Sequence, residues 1–512
     1  MGDRVPVRLD PPGVTVWVSR GETLLEAAHA AGVPLASECG GRGTCGRCAV
    51  RVVGGPPGVA VREVLRACQT HPDAPMSVRP VSALGPNAGA EAGSAAPRGP
   101  LVAAVDLGTT IVTGAVASPV TGRETGRAWQ TNPQRASGAD VLSRASAAAT
   151  GRGEDLREQA VRAVGGVVAD VLALGARDFG DVSRLVVAAN PIMAHLFAGA
   201  DPSGLGRHPV VHAWQGPLAR DAGVFGLSGF EPDMPVVVLP ALGGLVGGDA
   251  TAGVLATGLD GEGVRVLIDL GTNAEVVVGV DGRLTAASAA AGPAFEGGGL
   301  SCGMPAMPGA IVGARIERGD LVIDVVGGGE PAGVSGSGAL SLIRVLLATG
   351  HLDGSGRLFP EGLLADRFRT SEGVLGLRLA GEPDGSDDIR LTQLDIREIQ
   401  LAKAAVSTAL TRALDVAGAS WDAVTSVSVA GAFGSALDGE LLEALGLVPR
   451  GVAHLTRVVG NAALQGAMIV ALDPEAERRA AELAAGACVL VLAADPAFAA
   501  DFLGNTAFPA AT

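Results

Sequence analysis

A chain of 512 residues with 53 acidic against 38 basic side chains, a formal charge of −15, is too long for one ordinary core. That charge excludes a dedicated nucleic-acid binder or a basic membrane-surface protein, because neither could neutralise phosphates with such an acidic surplus. Six cysteines, four of them clustered, do not distribute as a secreted disulfide scaffold does, and no stretch reaches the roughly 18–20 apolar residues of a membrane span, so several domains of a soluble, cytoplasmic protein are expected.

In chain order, residues 14–18 alternate as a strand, and residues 23–31 read as a short helix capped by Thr23, with Glu26 closing a capping box and Gly32 ending it. A glycine-rich loop follows, then a second strand over 49–53 and a run over 61–65 leading to Cys68, which makes residues 1–80 a small half-β domain. Its thiols, Cys39, Cys45, Cys48 and Cys68, stand as C-x5-C-x2-C-x19-C. Three closely spaced thiolates on a turn plus one from a distant segment is how a [2Fe–2S] cluster is held, and Gly40, Gly41, Gly43 and Gly46 let backbone amides point at the sulfurs. Zinc is the competitor, although a structural zinc site more often shows two C-x2-C pairs and only Cys45 and Cys48 form one. The spacing resembles the plant-type and adrenodoxin-type ferredoxins, with x5 matching the latter; the short x19 gap puts the cluster's exposure in question. Arg42 and Arg47 read as solvated loop charges before they read as guides for an electron donor.

Residues 81–100 are Ala, Gly, Pro and Ser with almost no bulky apolar side chain and read as a flexible tether. Beyond it, strands at 101–105, 111–116, 185–189, 236–239, 264–268, 275–280 and 427–429 alternate with helical text, which predicts an α/β architecture. The segment LVAAVDLGTTIVTGAV (101–116) is echoed by VRVLIDLGTNAEVVVGV (264–280), each a strand ending in Asp, a glycine turn and a second strand. Two similar lobes sharing a cleft are expected.

In Asp106-Leu107-Gly108-Thr109-Thr110 and Asp269-Leu270-Gly271-Thr272-Asn273 the backbone amides and Thr hydroxyls can cradle phosphate oxygens, while the Asp residues hold Mg²⁺ through its waters. A third glycine-rich piece, Ser335-Gly336-Ser337-Gly338 before an apolar helix, offers a helix N-terminus to an anion or ribose. Gly327 and Gly329 after a strand at 321–326 invite a dinucleotide fingerprint, but Pro331 and the absence of an immediate helix spoil it.

The chain after the tether resembles the ASKHA superfamily of acetate and sugar kinases, Hsp70 and actin. The two loops correspond to its phosphate motifs, and the apolar helical text GGLVGGDATAGVLA (243–256), with Asp249, is similar to its first connection. VAGAFG (429–434), with Gly431, Ala432 and Phe433, resembles its adenosine loop, and GNAALQGAMIV (460–470) its second connection. The resemblance therefore implies a fold class of α/β with an N-terminal β-grasp-like ferredoxin domain (1–80), a linker (81–100) and a two-lobed ATPase over 101–512. Its lobes are placed at about 101–260 and 261–460, with a returning helix and tail at about 461–512.

A narrower resemblance rests on AANPIMAHLF (188–197), DLGTNAEVVVG (269–279), AAGPAFEGGGLSCGMPAMPGAI (290–311) and FLGNTAFP (502–509). These match the reductive activators of corrinoid proteins. The better-known members carry a middle domain between linker and ATPase; here it is expected to be missing, which leaves dimerisation and the oligomeric state open. Ala274 stands where the family usually has Gly, and Pro191-Ile192 replaces a more polar pair.

That resemblance implies an ATP-dependent reduction of cob(II)alamin to cob(I)alamin on a corrinoid protein that serves a methyltransferase. A flavin-dependent reductase or a ferredoxin would supply the electron, with no nucleic-acid or membrane partner. A cluster near about −400 mV lies above the potential expected of that couple, and each ~59 mV of uphill one-electron transfer costs about 1.4 kcal/mol, so ATP has a task. Asp106 and Asp269 would organise Mg²⁺, and Asp249 would position the attacking water, while Glu275 and Glu296 read as structural before catalytic. Cys302 and Cys488 read as core cysteines, and the seven His show no ligand spacing. Two other classes stay open: a kinase or acyl-CoA-type dehydratase activator using the same ATP site, and a simple electron-transfer protein.

Overall fold

The computed structural model describes residues 4–9, 14–30, 48–54, 64–80, 89–93, 99–138, 140–207, 209–381, 388–431 and 437–509. Its chain divides into two compact units, Met1–Val238 and Leu239–Thr512.

The first unit opens with β1 (Arg4–Leu9), β2 (Val14–Ser19), β3 (Ala49–Gly54), β4 (Val64–Arg66) and β5 (Met76–Pro80), ordered β2-β1-β5-β3-β4. β1 and β5 run parallel at the centre while the outer pairs are antiparallel. Alternation explains the inward face: Val7, Leu9, Val16, Val18, Val50, Val52 and Val78 are buried together under the helix Leu24–Ala30, whose Leu24, Leu25, Ala27 and Ala28 complete the core. The expected capping box is present, with Thr23 N–H donating to Glu26 Oε2 at 2.8 Å and Glu26 N–H to Thr23 Oγ1 at 3.2 Å.

Next come β6 (Gly89–Ala92), β7 (Leu101–Leu107), β8 (Ile111–Ala117), β9 (Glu124–Thr131), β10 (Val182–Ala189), β11 (Leu218–Asp221) and β12 (Pro235–Val238), in the order β11-β12-β10-β7-β8-β9-β6. β6 falls inside the segment expected to be a structureless tether, and this corrects the expectation for residues 89–92. Small Ala and Gly side chains cannot build a core, but an edge strand needs only its backbone, and β6 pairs antiparallel with Ala128 and its neighbours on β9. Residues 81–88 and 94–98 of the tether lie outside the described residues.

In the second unit β13 (Val264–Asp269), β14 (Ala274–Val280) and β15 (Arg283–Ala289) form an antiparallel meander. Two small three-stranded sheets follow, from β16 (Ala310–Glu317), β17 (Asp320–Val325) and β18 (Gly333–Val334), and from β19 (Phe368–Ser371), β20 (Val374–Ala380) and β21 (Ile389–Thr392). β22 (Val424–Ala430), β23 (Thr456–Gly460) and β24 (Cys488–Leu490) then complete the main sheet as β23-β22-β13-β14-β15-β24. The core order β9-β8-β7-β10-β12 of the first unit and β15-β14-β13-β22-β23 of the second is one topology used twice, with antiparallel hairpins on one side and parallel strands on the other. The sequence echo at 101–116 and 264–280 is its legible trace.

Two expectations need correction. The helical text at 243–256 is helical only over Gly248–Thr257, because residues 243–246 close into a turn in which Val246 N–H donates to Gly243 O at 2.9 Å. Cys488 is exposed rather than core, since β24 is an edge strand that among the described residues pairs only with β15. Cys302 is half-buried against the main core, with its thiol 3.8 Å from Asp388 O.

Among the described residues, no helix is long and apolar enough to cross a membrane.

Candidate functional site

Register builds the thiol site. Ala49 on β3 pairs with Arg66 on β4, so the residues just beyond the ladder, Cys48 and the turn Ala67–Gln69, are brought together. Ala67 N–H donates to Cys48 O at 2.9 Å, and the Cys48 and Cys68 sulfurs lie 3.2 Å apart, both buried. This is far beyond the ~2.05 Å of a disulfide and shorter than the edge of a thiolate tetrahedron, roughly 3.8 Å for metal–sulfur bonds of about 2.3 Å, so the sulfurs would move slightly apart to share a metal. Cys68 N–H points at Cys48 Sγ from 3.5 Å, the kind of amide contact that steadies a thiolate ligand. The two thiols therefore suit an iron–sulfur group; Cys39 and Cys45 lie outside the described residues.

The first phosphate-type loop joins β7 to β8. Asp106, next to last in β7, stands opposite Thr113, and Gly108 makes the turn, where a Cβ would sit 2.4 Å from Ile111 O. Three residues that sequence reasoning passed over hold Thr109 and Thr110. Asn132 donates twice, from Nδ2 to Gly108 O at 2.8 Å and from its backbone N–H to Thr110 O at 2.9 Å. Asn190, the cap of the helix Pro191–Ala198, donates from Nδ2 to Thr109 Oγ1 at 3.1 Å. Arg144, wholly buried, spreads its guanidinium over Thr109 O, Gly138 O at 3.1 Å and Gln134 Oε1 at 3.2 Å.

On the same short helix, His195 is buried against Trp214 with its ring centroid 4.3 Å away. Its Nδ1 meets Pro191 O at 2.7 Å, and its Nε2 accepts from Ala213 N–H at 3.0 Å, which fixes a neutral tautomer. Burial holds it down to about 4. The unfolded chain titrates near the ordinary value of about 6.5, so it takes up the proton first as pH falls. Stability contributed by neutral His195 is thus full above about pH 6.5 and should drop by about 2 kcal/mol between pH 7 and pH 5. Urea midpoints across that range test this, and a His195→Gln variant whose pH dependence equals the parent's would refute it.

The second loop joins β13 to β14. Asp269 on β13 stands in register with Glu275 on β14, which in turn faces Ser288 on β15, so the three share one face. Ser288 Oγ donates to Glu275 Oε1 at 3.2 Å. Burial, then the charges of Asp249 and Asp269, push Glu275 well above the usual carboxylate range and favour its protonated form. Asp249, in the first turn of Gly248–Thr257, accepts from Ala250 N–H at 2.8 Å. Burial lifts it to about 6, although its edge still reaches solvent, so it remains largely ionised at neutral pH. Among the described residues, no three His, Cys, Asp or Glu side chains converge to hold a metal ion unaided, so a cation here would lean on its own waters. Glu296, ending the turn Pro293–Glu296, takes the Thr272 N–H at 2.9 Å and the Thr272 hydroxyl at 3.2 Å on one oxygen.

Other anticipated residues fall differently. Gly431 follows β22, which is tied to the second loop by Leu270 N–H donating to Ala430 O at 3.0 Å; Ala432 and Phe433 lie outside the described residues. Ser335, Gly336, Ser337 and Gly338 are all buried, and the Ser335 hydroxyl is engaged with Ile311 O, Ser337 and Gly338 N–H. The Ser335 and Ser337 hydroxyls and the Gly338 N–H are thus engaged with one another and with Ile311 O at this helix start.

Three family models cover the chain. One described as a 2Fe-2S iron-sulfur cluster binding domain matches residues 7–73, one described as the RACo middle region matches 101–262, and one described as the C-terminal domain of RACo, the ASKHA domain, matches 263–512. The middle-region match overturns the expectation that this part is missing: the text read as a first ATPase lobe is what the family calls its middle region. The corrinoid activation enzyme RamQ of Eubacterium limosum is 32% identical over 422 residues, covering 79% of this chain and 70% of that protein. A [Co(II) methylated amine-specific corrinoid protein] reductase of Methanosarcina barkeri is 29% identical over 327 residues, 58% of this chain and 57% of that one. A solved structure, the reductive activator for corrinoid, iron-sulfur protein, superposes with a TM-score of 0.74 at 26% identity over 99% of this chain and 98% of its own. An iron–sulfur domain match, the RACo middle and C-terminal matches and a RamQ-like sequence over most of its length lead to one conclusion: this chain belongs to the family of reductive activators of corrinoid proteins.

Proposed function

We propose that this protein restores an inactive corrinoid protein by ATP-dependent, one-electron reduction of that partner's cob(II)alamin to cob(I)alamin, returning it to a methyltransferase cycle. The observation that carries the proposal is the presence, in one chain, of a ferredoxin-type thiol site at Cys48 and Cys68 and of two strand–turn–strand loops of phosphate-binding type. An electron carrier alone would have no use for the second feature, and a kinase none for the first.

A [2Fe–2S] cluster on Cys39, Cys45, Cys48 and Cys68 would supply a low-potential electron, replenished by a flavin-dependent reductase or a ferredoxin. In the nucleotide part, Gly108, Thr109, Thr110, Gly271, Thr272 and Asn273 would receive phosphate oxygens, and Asp106 and Asp269 would orient a hydrated Mg²⁺. Asp249, anionic at neutral pH, is suited to accept a hydrogen bond from the attacking water, while protonated Glu275 beside it keeps the pocket from accumulating three negative charges.

The test mixes the reduced protein with a corrinoid protein in the cob(II)alamin state and follows the visible spectrum with and without Mg-ATP. The proposal expects the cob(I)alamin spectrum only when ATP is present. Equal reduction without ATP would leave a simple electron carrier; ATP turnover with no spectral change would leave an activator or kinase for another partner.

A further inference from the structure

The second loop already holds an anion of its own. One oxygen, Glu296 Oε1, accepts both the backbone N–H of Thr272 at 2.9 Å and its hydroxyl at 3.2 Å. Two donors of one residue converging on a single anionic oxygen is how such a loop would grip a phosphate oxygen. The position of Glu296 is fixed by its surroundings. Phe295 beside it is fully buried, and the Phe295 carbonyl lies over Gly336, where a Cβ would come within 1.7 Å of it. The glycine-rich helix start thus supports the turn that carries Glu296.

We propose that Glu296 is the resident occupant of the Thr272 site and that a nucleotide phosphate binds there by displacing it. Binding is then an exchange of one anion for another on the same two donors, and the loop keeps its shape in both states. Apparent nucleotide affinity is the intrinsic affinity multiplied by the fraction of molecules in which Glu296 is unseated. This inference rests on the reading of Thr272 as a phosphate ligand, and the experiment separates the two.

Calorimetric titration of the cluster-loaded, full-length protein with a non-hydrolysable Mg-ATP analogue is compared for the parent, Glu296→Gln, Thr272→Ala and the double variant. Glu296→Gln is near-isosteric, so folding is preserved while the charge-assisted grip on Thr272 is lost. The analogue should bind Glu296→Gln at least fivefold more tightly than the parent. In the Thr272→Ala background that gain should shrink at least twofold, because one of the two contested donors, the hydroxyl, is gone while the backbone N–H remains. Unchanged or weaker binding by Glu296→Gln overturns the proposal. So does a gain that persists undiminished without the Thr272 hydroxyl, which would mark general charge repulsion. If the double variant binds as well as Glu296→Gln alone, where no seated carboxylate competes, the phosphate-loop reading of Thr272 itself falls, and the exchange with it. Glu398→Gln makes the same charge change on an exposed carboxylate near Gly299, and should leave affinity unaltered.

Discussion

Cys68→Ser is expected to yield a folded protein with no cluster absorbance and no electron transfer to a corrinoid partner, a loss of at least a thousandfold in the reduction rate. Serine fits the buried space next to Cys48, but its hydroxyl is a poor ligand for iron held by soft thiolates. Binding of Mg-ATP should stay within about twofold, because neither phosphate-type loop contains any of the four motif cysteines. Cys488→Ser, at an exposed edge-strand position, supplies the matched control and should change neither property. Visible absorbance with iron quantification reads the cluster, and calorimetry reads the nucleotide. A Cys68→Ser protein that retains a full complement of iron and its ferredoxin-like spectrum would remove Cys68 from the ligand set.

The second large effect is expected at Arg144. Its guanidinium satisfies the carbonyls of Thr109 and Gly138 and the side-chain oxygen of Gln134 from a position with no solvent access. Arg144→Met fills similar volume but strands those acceptors, each of which formed a bond to a charged donor. A loss of roughly 3 kcal/mol or more is expected, read as a fall in the denaturant midpoint. The same change frees the carbonyl of Thr109, so nucleotide affinity should fall at least tenfold. Arg144→Lys should recover little, since a single ammonium cannot span acceptors that a planar fork reaches together. A methionine variant as stable as the parent would show that the loop is held by other means.

Much of this molecule was readable from its residues, and the exceptions have physical reasons. The capping box at Thr23 and Glu26, the Asp-Leu-Gly-Thr hairpins and the four-cysteine spacing are local patterns in which neighbouring residues solve a local hydrogen-bond or turn problem. β1 was not anticipated because Arg4–Leu9 carries two arginines and a proline, and only its alternation under the helix reveals an inward face. β6 was hidden because an edge strand can be made from backbone alone. Asn132 and Asn190 left a signal that went unused: each stands directly before a proline, the start signature of a helical turn, and each proved to cap one while holding the first loop. Arg144 left none, since an arginine in a run of Ser and Ala reads as a solvated face until the fold wraps around it.

The repeated strand order has a further consequence when the two copies are laid side by side. In each, the segment after the third strand of the meander reaches back to the glycine turn between the first two: Asn132 after β9, Glu296 after β15. Asn132 gives two hydrogens to the carbonyls of its turn, whereas Glu296 takes two hydrogens from the residue in its own. If both halves descend from one duplicated ancestor, their divergence at this point is an inversion of hydrogen-bond polarity. One copy keeps its turn by donating to it and the other by accepting from it, so two similar hairpins came to differ in how readily they receive a new anion.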